Sequence, residues 1–180
     1  MAGFGAGRGR PSPTNHRRAV SAAYYALFHA IIGQAVELVL DPAFTDTEER
    51  LRAARWVAHE DIKTACAYVV ECAAVTTPTT TAPTKTGRKH GVWELFSTPA
   101  PGGRVAAVPS AVERIASAFV GLQNARHEAD YDQLASFPKQ RARRHVLTAE
   151  NAVALLRANV GDPYLRRLLG LIAFRARRLP

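Results

Sequence analysis

Cysteine is nearly absent from this 180-residue chain, which holds only Cys66 and Cys72. They stand six positions apart on a stretch read as helix, too far along the axis for an easy disulfide and too few for a zinc site. They are expected to be reduced apolar residues, which fits a cytoplasmic protein. No apolar run is expected to approach the ~20 residues that span a bilayer. The Gly- and Arg-rich start lacks a signal-peptide core and cleavage site, so no membrane partner is expected. No Gly-rich phosphate loop follows a strand, and no His/Cys/carboxylate set has metal-ligand spacing. Neither a cofactor nor a metal is therefore expected. Alternating β-branched runs and internal repeats are also missing, which argues against a large sheet and for helices.

Acid is missing from one end of the chain. Residues 1–36 carry Arg8, Arg10, Arg17 and Arg18 with no Asp or Glu. Residues 138–180 carry ten basic residues against Glu150 and Asp162, whereas 37–137 hold ten basic and thirteen acidic residues. The net charge of +9 thus lies at the two ends. Such a distribution suits an anionic partner such as nucleic acid or a membrane surface, or simply a solvated surface.

What is present reads as all-α. Residues 1–11 are expected to be disordered. Cap-type residues at Ser12 to Asn15 open a first helix that runs to about Leu40, with Val20, Tyr24, Leu27 and Ile31 as its apolar stripe. A second line on that helix, Arg18, Ser21, Tyr25 and His29, carries its polar groups. Asp41-Pro42 ends it. Thr45-Asp-Thr-Glu48 reads as a capping box for a second helix reaching Ala74, with Leu51, Ala54, Ala58, Ile62, Ala65 and Val69 facing inward. The Thr/Pro-rich segment that follows predicts a mobile loop over 76–108, interrupted by the apolar island Val92 to Phe96. A third helix starts at Pro109-Ser110 and a fourth spans about Lys139 to Asn159, with Val146, Ala149, Val153, Leu156 and Val160 inward. Gly161 and Asp162-Pro163 then introduce a basic amphipathic helix within 161–180. The expected architecture is an antiparallel four-helix up-down bundle over residues 12–160, with an appended C-terminal helix.

One stretch breaks the packing pattern. The third helix places Val112, Ile115, Phe119 and Leu122 on a buried stripe, whose continuation meets Arg126, then Ala129 and Asp130. Charged groups on a core stripe are costly unless paired, and Arg126 and Asp130 are one turn apart. His127 and Tyr131 form a second pair on the adjoining face. Such a cluster is either a bracing network or a site.

Two motifs, Arg18-Ala-Val-Ser-Ala-Ala-Tyr-Tyr-Ala-Leu-Phe-His29 and Arg126-His-Glu-Ala-Asp-Tyr-Asp132, resemble those of the HEPN superfamily of small helical-bundle proteins. The resemblance covers about residues 14–158. It implies a bundle that dimerises and acts on RNA or nucleotides, in some relatives as a metal-independent ribonuclease of toxin–antitoxin or defence systems. The implied partners are a second copy of the chain, RNA or a nucleotide, and a nucleotidyltransferase-type antitoxin. In the nucleases an Arg is followed, after four to six residues, by a His. Here Arg126 stands at the Arg position, but the positions beyond are Tyr131, Asp132 and Gln133, and the imidazole is adjacent at His127. Arg52 and His59 satisfy the spacing on another helix.

Metal-independent RNA cleavage needs a base for the 2′-hydroxyl and a cation for the phosphorane, roles suited to His and Arg. The candidate catalytic residues are therefore Arg126, His127, Asp130, Tyr131 and His29. The candidate binding residues are Arg17, Arg18, Ser21, Tyr25, Arg143 and Arg144. Two functions are expected from this reading. One is an RNA- or nucleotide-directed protein of toxin or defence type, a ribonuclease with a degenerate motif. The other is a non-catalytic helical module for dimerisation or protein interaction.

Overall fold

Helix-forming patterns dominate the chain, and a computed structural model realises them as packed helices. It describes residues 13–40, 47–55, 59–74, 96–101 and 103–175. Among these lie α1 (Pro13–Val39), α2 (Thr47–Arg55), α3 (His59–Ala73), α4 (Ser110–Tyr131), α5 (Lys139–Ala158) and α6 (Pro163–Arg175). Pro109 and Pro138 stand just before α4 and α5 in extended geometry, where their missing N–H costs no helical bond. Asp162 caps α6, its Oδ1 accepting the N–H groups of Tyr164 at 2.8 Å and Leu165 at 2.9 Å.

The core forms where the stripes predict. Val20, Tyr24, Leu27 and Ile31 of α1 are buried, as are Val112, Ile115, Phe119 and Leu122 of α4. Tyr24 and Phe119 meet with ring centroids 5.5 Å apart. α1 packs against α4, α5 and α6, while α3 packs against α4 and α6. Contacts Arg17–Asp132, Ser21–Asp130 and Tyr25–Arg126 progress in opposite directions along the two helices, so α1 and α4 run antiparallel, whereas the expected up-down order would make its first and third helices parallel. The expectation about apolar runs needs correction at α1. Residues Thr14–Val39 are long and apolar enough on average to cross a membrane, yet half of that window is buried in the fold, as in a core helix.

Several expectations need correction. The expected second helix is described in two stretches, α2 and α3, with residues 56–58 between them outside the described ones. Leu51, expected inward, is 56 % exposed, and α2 buries no residue. In α5, Ala149 and Leu156 are buried, but Val160 is exposed because it lies beyond the helix end. The loop expected over 76–108 contains order in its second half. Phe96 enters the core, and β1 (Ser97–Ala100) pairs antiparallel with β2 (Gly103–Ala106). Ala107 N–H donates to the Phe96 carbonyl at 2.9 Å and closes this ribbon. Residues 75–95, most of the expected loop, and 1–12, the expected disordered start, lie outside the described residues.

The terminal helix is part of the body. Leu165, Leu168, Leu169 and Ile172 are buried in the same cluster as α1 and α3 residues. Its apolar face is thus covered within one chain.

Candidate functional site

The buried stripe of α4 continues past Leu122 through Ala125 and Ala129, not through Arg126 and Asp130. From Leu122 a step of three followed by one of four keeps to the 3.6-residue period, and the charged pair falls on the flank. Arg126 and Asp130 side chains are accordingly 25 % and 30 % exposed, at the rim where α4 meets α1.

The polar line of α1 meets this pair. Ser21 Oγ donates to Asp130 Oδ1 at 2.6 Å. Arg126 Nη2 donates to Tyr25 Oη at 3.1 Å. Arg126 Nε lies 2.6 Å from Asp130 Oδ2, but its N–H is turned away, so the two attract without a directed hydrogen bond. The guanidinium also lies 6.0 Å from the Tyr24 ring centre, 5.6 Å from Tyr25 and 5.7 Å from Tyr131. Each such cation–ring approach favours the charge. Burial opposes that charge, yet Tyr25, Asp130, Tyr131 and Tyr24 outweigh it and hold the Arg126 pKa above its ordinary value. The result is a fixed, permanently charged guanidinium that still reaches solvent.

A cleft of about 520 Å³ opens beside it. Lys63 of α3 lines it together with Gln123, Asn124, Arg126, His127 and the carboxylates Glu128 and Asp132. The His127 and Tyr131 rings lie 4.9 Å apart at 47°, and Tyr131 is 64 % exposed. Lys63, Gln123 and Asn124 were missed by the sequence reading. Only the spacing of Gln123 and His127, one turn apart on α4, signalled their common face.

Other candidates serve elsewhere. Arg17 is consumed by structure. Its Nη1 donates to the carbonyls of Ala129 at 2.9 Å and Asp132 at 2.8 Å, and its Nη2 to those of Gln133 at 3.2 Å and Ala135 at 2.5 Å. It therefore caps the C-terminal end of α4, where unpaired carbonyls and the helix dipole favour a cation. Asp132, last residue of the second motif, also holds this turn: Oδ1 accepts the N–H groups of Leu134 at 2.9 Å and Ala135 at 3.2 Å. Arg141 forms a forked pair with Glu128 at 2.5 and 2.9 Å and lies 4.4 Å from the centre of the Phe137 ring. His29, expected in the Asp130 network, is exposed and instead stacks on Tyr25 at 6.2 Å, with Phe28 at 5.3 Å. One turn beyond Tyr25, it lies too far along α1 to meet Asp130, which pairs with Ser21.

Arg18, Arg143 and Arg144 are exposed. His145 of α5, partly buried, has its pKa pushed down by burial and then by the Arg141 guanidinium, with Arg144 adding and Glu128 opposing. Arg52 pairs with Glu48 at 3.1 Å, and the side chain of His59 lies outside the described residues. Among the described residues no group of three or more His, Cys, Asp or Glu could hold a metal. No family model, no curated protein and no solved structure matches the chain.

Proposed function

We propose that the chain is a HEPN-like, RNA-directed protein of toxin or defence type, working as a homodimer and holding single-stranded RNA at Arg126. The observation that carries this reading is a guanidinium fixed among three tyrosine rings, kept charged, and left one-quarter exposed at the mouth of a polar cleft. Arg offers phosphate a planar fork of donors, and exposed Tyr131 offers a stacking face for a base. Exposed Arg18, Arg143 and Arg144 add long-range attraction for the RNA backbone. The superfamily resemblance supplies the helical-bundle part of this reading, although α1 and α4 run antiparallel where a simple up-down order has its first and third helices parallel, and α6 is built into the same core. A nucleotidyltransferase-type protein is the antitoxin this reading implies.

In a cleavage reaction His127, the imidazole that lines the cleft, would take the 2′-hydroxyl proton while Arg126 stabilises the charged phosphorane. The His one to two turns beyond the Arg is missing from the motif, and the adjacent His127 stands in its place. A second reading, a non-catalytic interaction module, is favoured by Leu134. This residue is 96 % exposed on a turn pinned by Arg17 and Asp132, which makes a rigid apolar contact point.

The test incubates the purified chain with labelled single-stranded RNA in EDTA, beside Arg126→Ala. Salt-sensitive binding by the wild type, with a slope of about 0.7 per phosphate contact, and its loss in the variant are expected. Product formation in EDTA that also disappears in Arg126→Ala and His127→Ala would add the ribonuclease activity. Absence of any salt-sensitive binding would leave the interaction module.

A further inference from the structure

The cleft beside Arg126 is lined unevenly. Arg126 and Lys63 are its cations, whereas Glu128 and Asp132 bring carboxylates and Gln123 contributes a carboxamide. Gln123 Oε1 is buried and hydrogen-bonded to nothing among the described residues. A buried acceptor without a donor is unfavourable, and a ligand that supplies the donor relieves it. A phosphate cannot do this, because its oxygens are themselves acceptors and would face two carboxylates. What fits beyond the cations is a neutral, planar group that carries N–H donors.

A nucleobase meets that description, and resting on the RNA reading above, we propose that this cleft recognises an adenine base of the bound strand through the Gln123 carboxamide. The adenine amino group donates to Gln123 Oε1 while the Gln123 amide donates to the neighbouring ring nitrogen, the paired geometry by which Gln and Asn select adenine. The terminal torsion of a glutamine is soft, so the amide turns to the base at small cost. Asn124, exposed on the same lip, supplies a second carboxamide. His127 lines the cleft and offers the ring on which the base stacks, with the Tyr131 ring packed against it at 4.9 Å. Arg126 holds the adjoining phosphate at the mouth. Base and phosphate thus use different residues, and the two contributions separate by mutation.

The experiment measures binding of oligo(A), oligo(U) and oligo(C) single-stranded RNA to the full chain, to Gln123→Ala and to Arg126→Ala, each over a salt series. Thermal melts confirm that the variants are folded; Gln123 lies on a helix, where Ala is well tolerated. The wild type is expected to favour oligo(A). Gln123→Ala should weaken oligo(A) binding about tenfold, with oligo(U) affinity and the salt slope unchanged. Arg126→Ala should weaken all three and reduce the slope. The adenine inference is overturned if Gln123→Ala leaves oligo(A) binding intact, if it weakens all three alike, or if the wild type prefers oligo(U) or oligo(C). In those cases an Arg126-dependent, salt-sensitive affinity would still support the RNA reading. If the wild type binds none of the three, the RNA reading itself fails and takes this inference with it.

Discussion

Arg17 Nη1 donates to the carbonyl oxygen of Ala129 at 2.9 Å, tying the start of α1 to the last turn of α4 across 112 positions of sequence. With its further bonds to Asp132, Gln133 and Ala135, one side chain closes the end of α4 and fixes the turn into α5. Beneath it Val20, Ala125, Ala129, Phe137 and Ala142 form a small second core. The residue most exposed by this turn, Leu134, and the cleft residue Asp132 both depend on that closure for their position.

Arg17→Ala should therefore destabilise the chain by about 2–3 kcal/mol, from charge-assisted bonds to carbonyls discounted for partial exposure. Arg17→Lys should recover less than half, because an ammonium cannot span four carbonyls with a planar fork. Urea denaturation reads both values. An unchanged midpoint for Arg17→Ala would show that water replaces the cap without loss.

The Arg126–Asp130 pair sits at a rim, and its removal should be mild. Arg126→Ala is expected to cost roughly 1–2 kcal/mol, from a partly exposed pair and its ring contacts. A fully buried pair would cost roughly 3–5 kcal/mol. Chemical denaturation distinguishes the two ranges, and the Ser21→Ala, Asp130→Ala double cycle should return a coupling of about 1 kcal/mol.

Acid should weaken the fold through His145. Burial and the neighbouring Arg141 hold its folded pKa below the unfolded value, so the unfolded chain binds the proton more readily. The sign follows from linkage: stability is retained above the ordinary histidine range of about 6.5 and is lost as pH falls through it. His145→Gln should flatten the stability profile between about pH 7 and 5 relative to wild type. Parallel profiles for the two proteins would refute the assignment.

Thiol chemistry should report the core of α3. Burial, with Glu71 adding to it, pushes the Cys72 pKa up to about 11, and burial alone pushes Cys66 further. Neither thiol is then a nucleophile near neutrality. Mass spectrometry should find neither thiol alkylated by iodoacetamide at pH 8 under native conditions, and both after denaturation. Rapid native labelling of Cys66 would contradict its burial.

The last helix should be required for folding. Leu168 is fully buried against the cluster shared with α1 and α3. Leu168→Ala should cost about 2–5 kcal/mol, and a chain ending at Gly161 should expose apolar surface and aggregate. Retention of wild-type melting by the truncated chain would show that α6 is an addition and not a wall of the core.

Much of the fold is legible in order because helices are local. The stripes of α1 and α4, the prolines before α4 and α5, and the Asp162 cap follow from spacing and from residue type within one or two turns. The expected burial of Leu51 fails because period does not say whether a partner is there to cover a face. The ribbon at Ser97 to Ala106 was missed since its Pro- and Gly-rich sequence carries no alternating pattern, and its order comes with the burial of Phe96.

By itself the sequence determined a helical chain, its stripes, its basic ends, and the neighbourhood of Arg126 with Asp130, since residues four apart on a helix must meet. Only the tertiary structure decided which cations remain available. Arg17 and Arg141 look the same as Arg18 and Arg143 in sequence, yet the former pair is spent on carbonyls, Glu128 and Phe137. Their fate depends on helix ends brought together from distant parts of the chain, a long-range geometry that no local period encodes. The same packing set Lys63 of α3 beside Gln123 and Arg126 of α4, and so made a cleft from residues that share no motif.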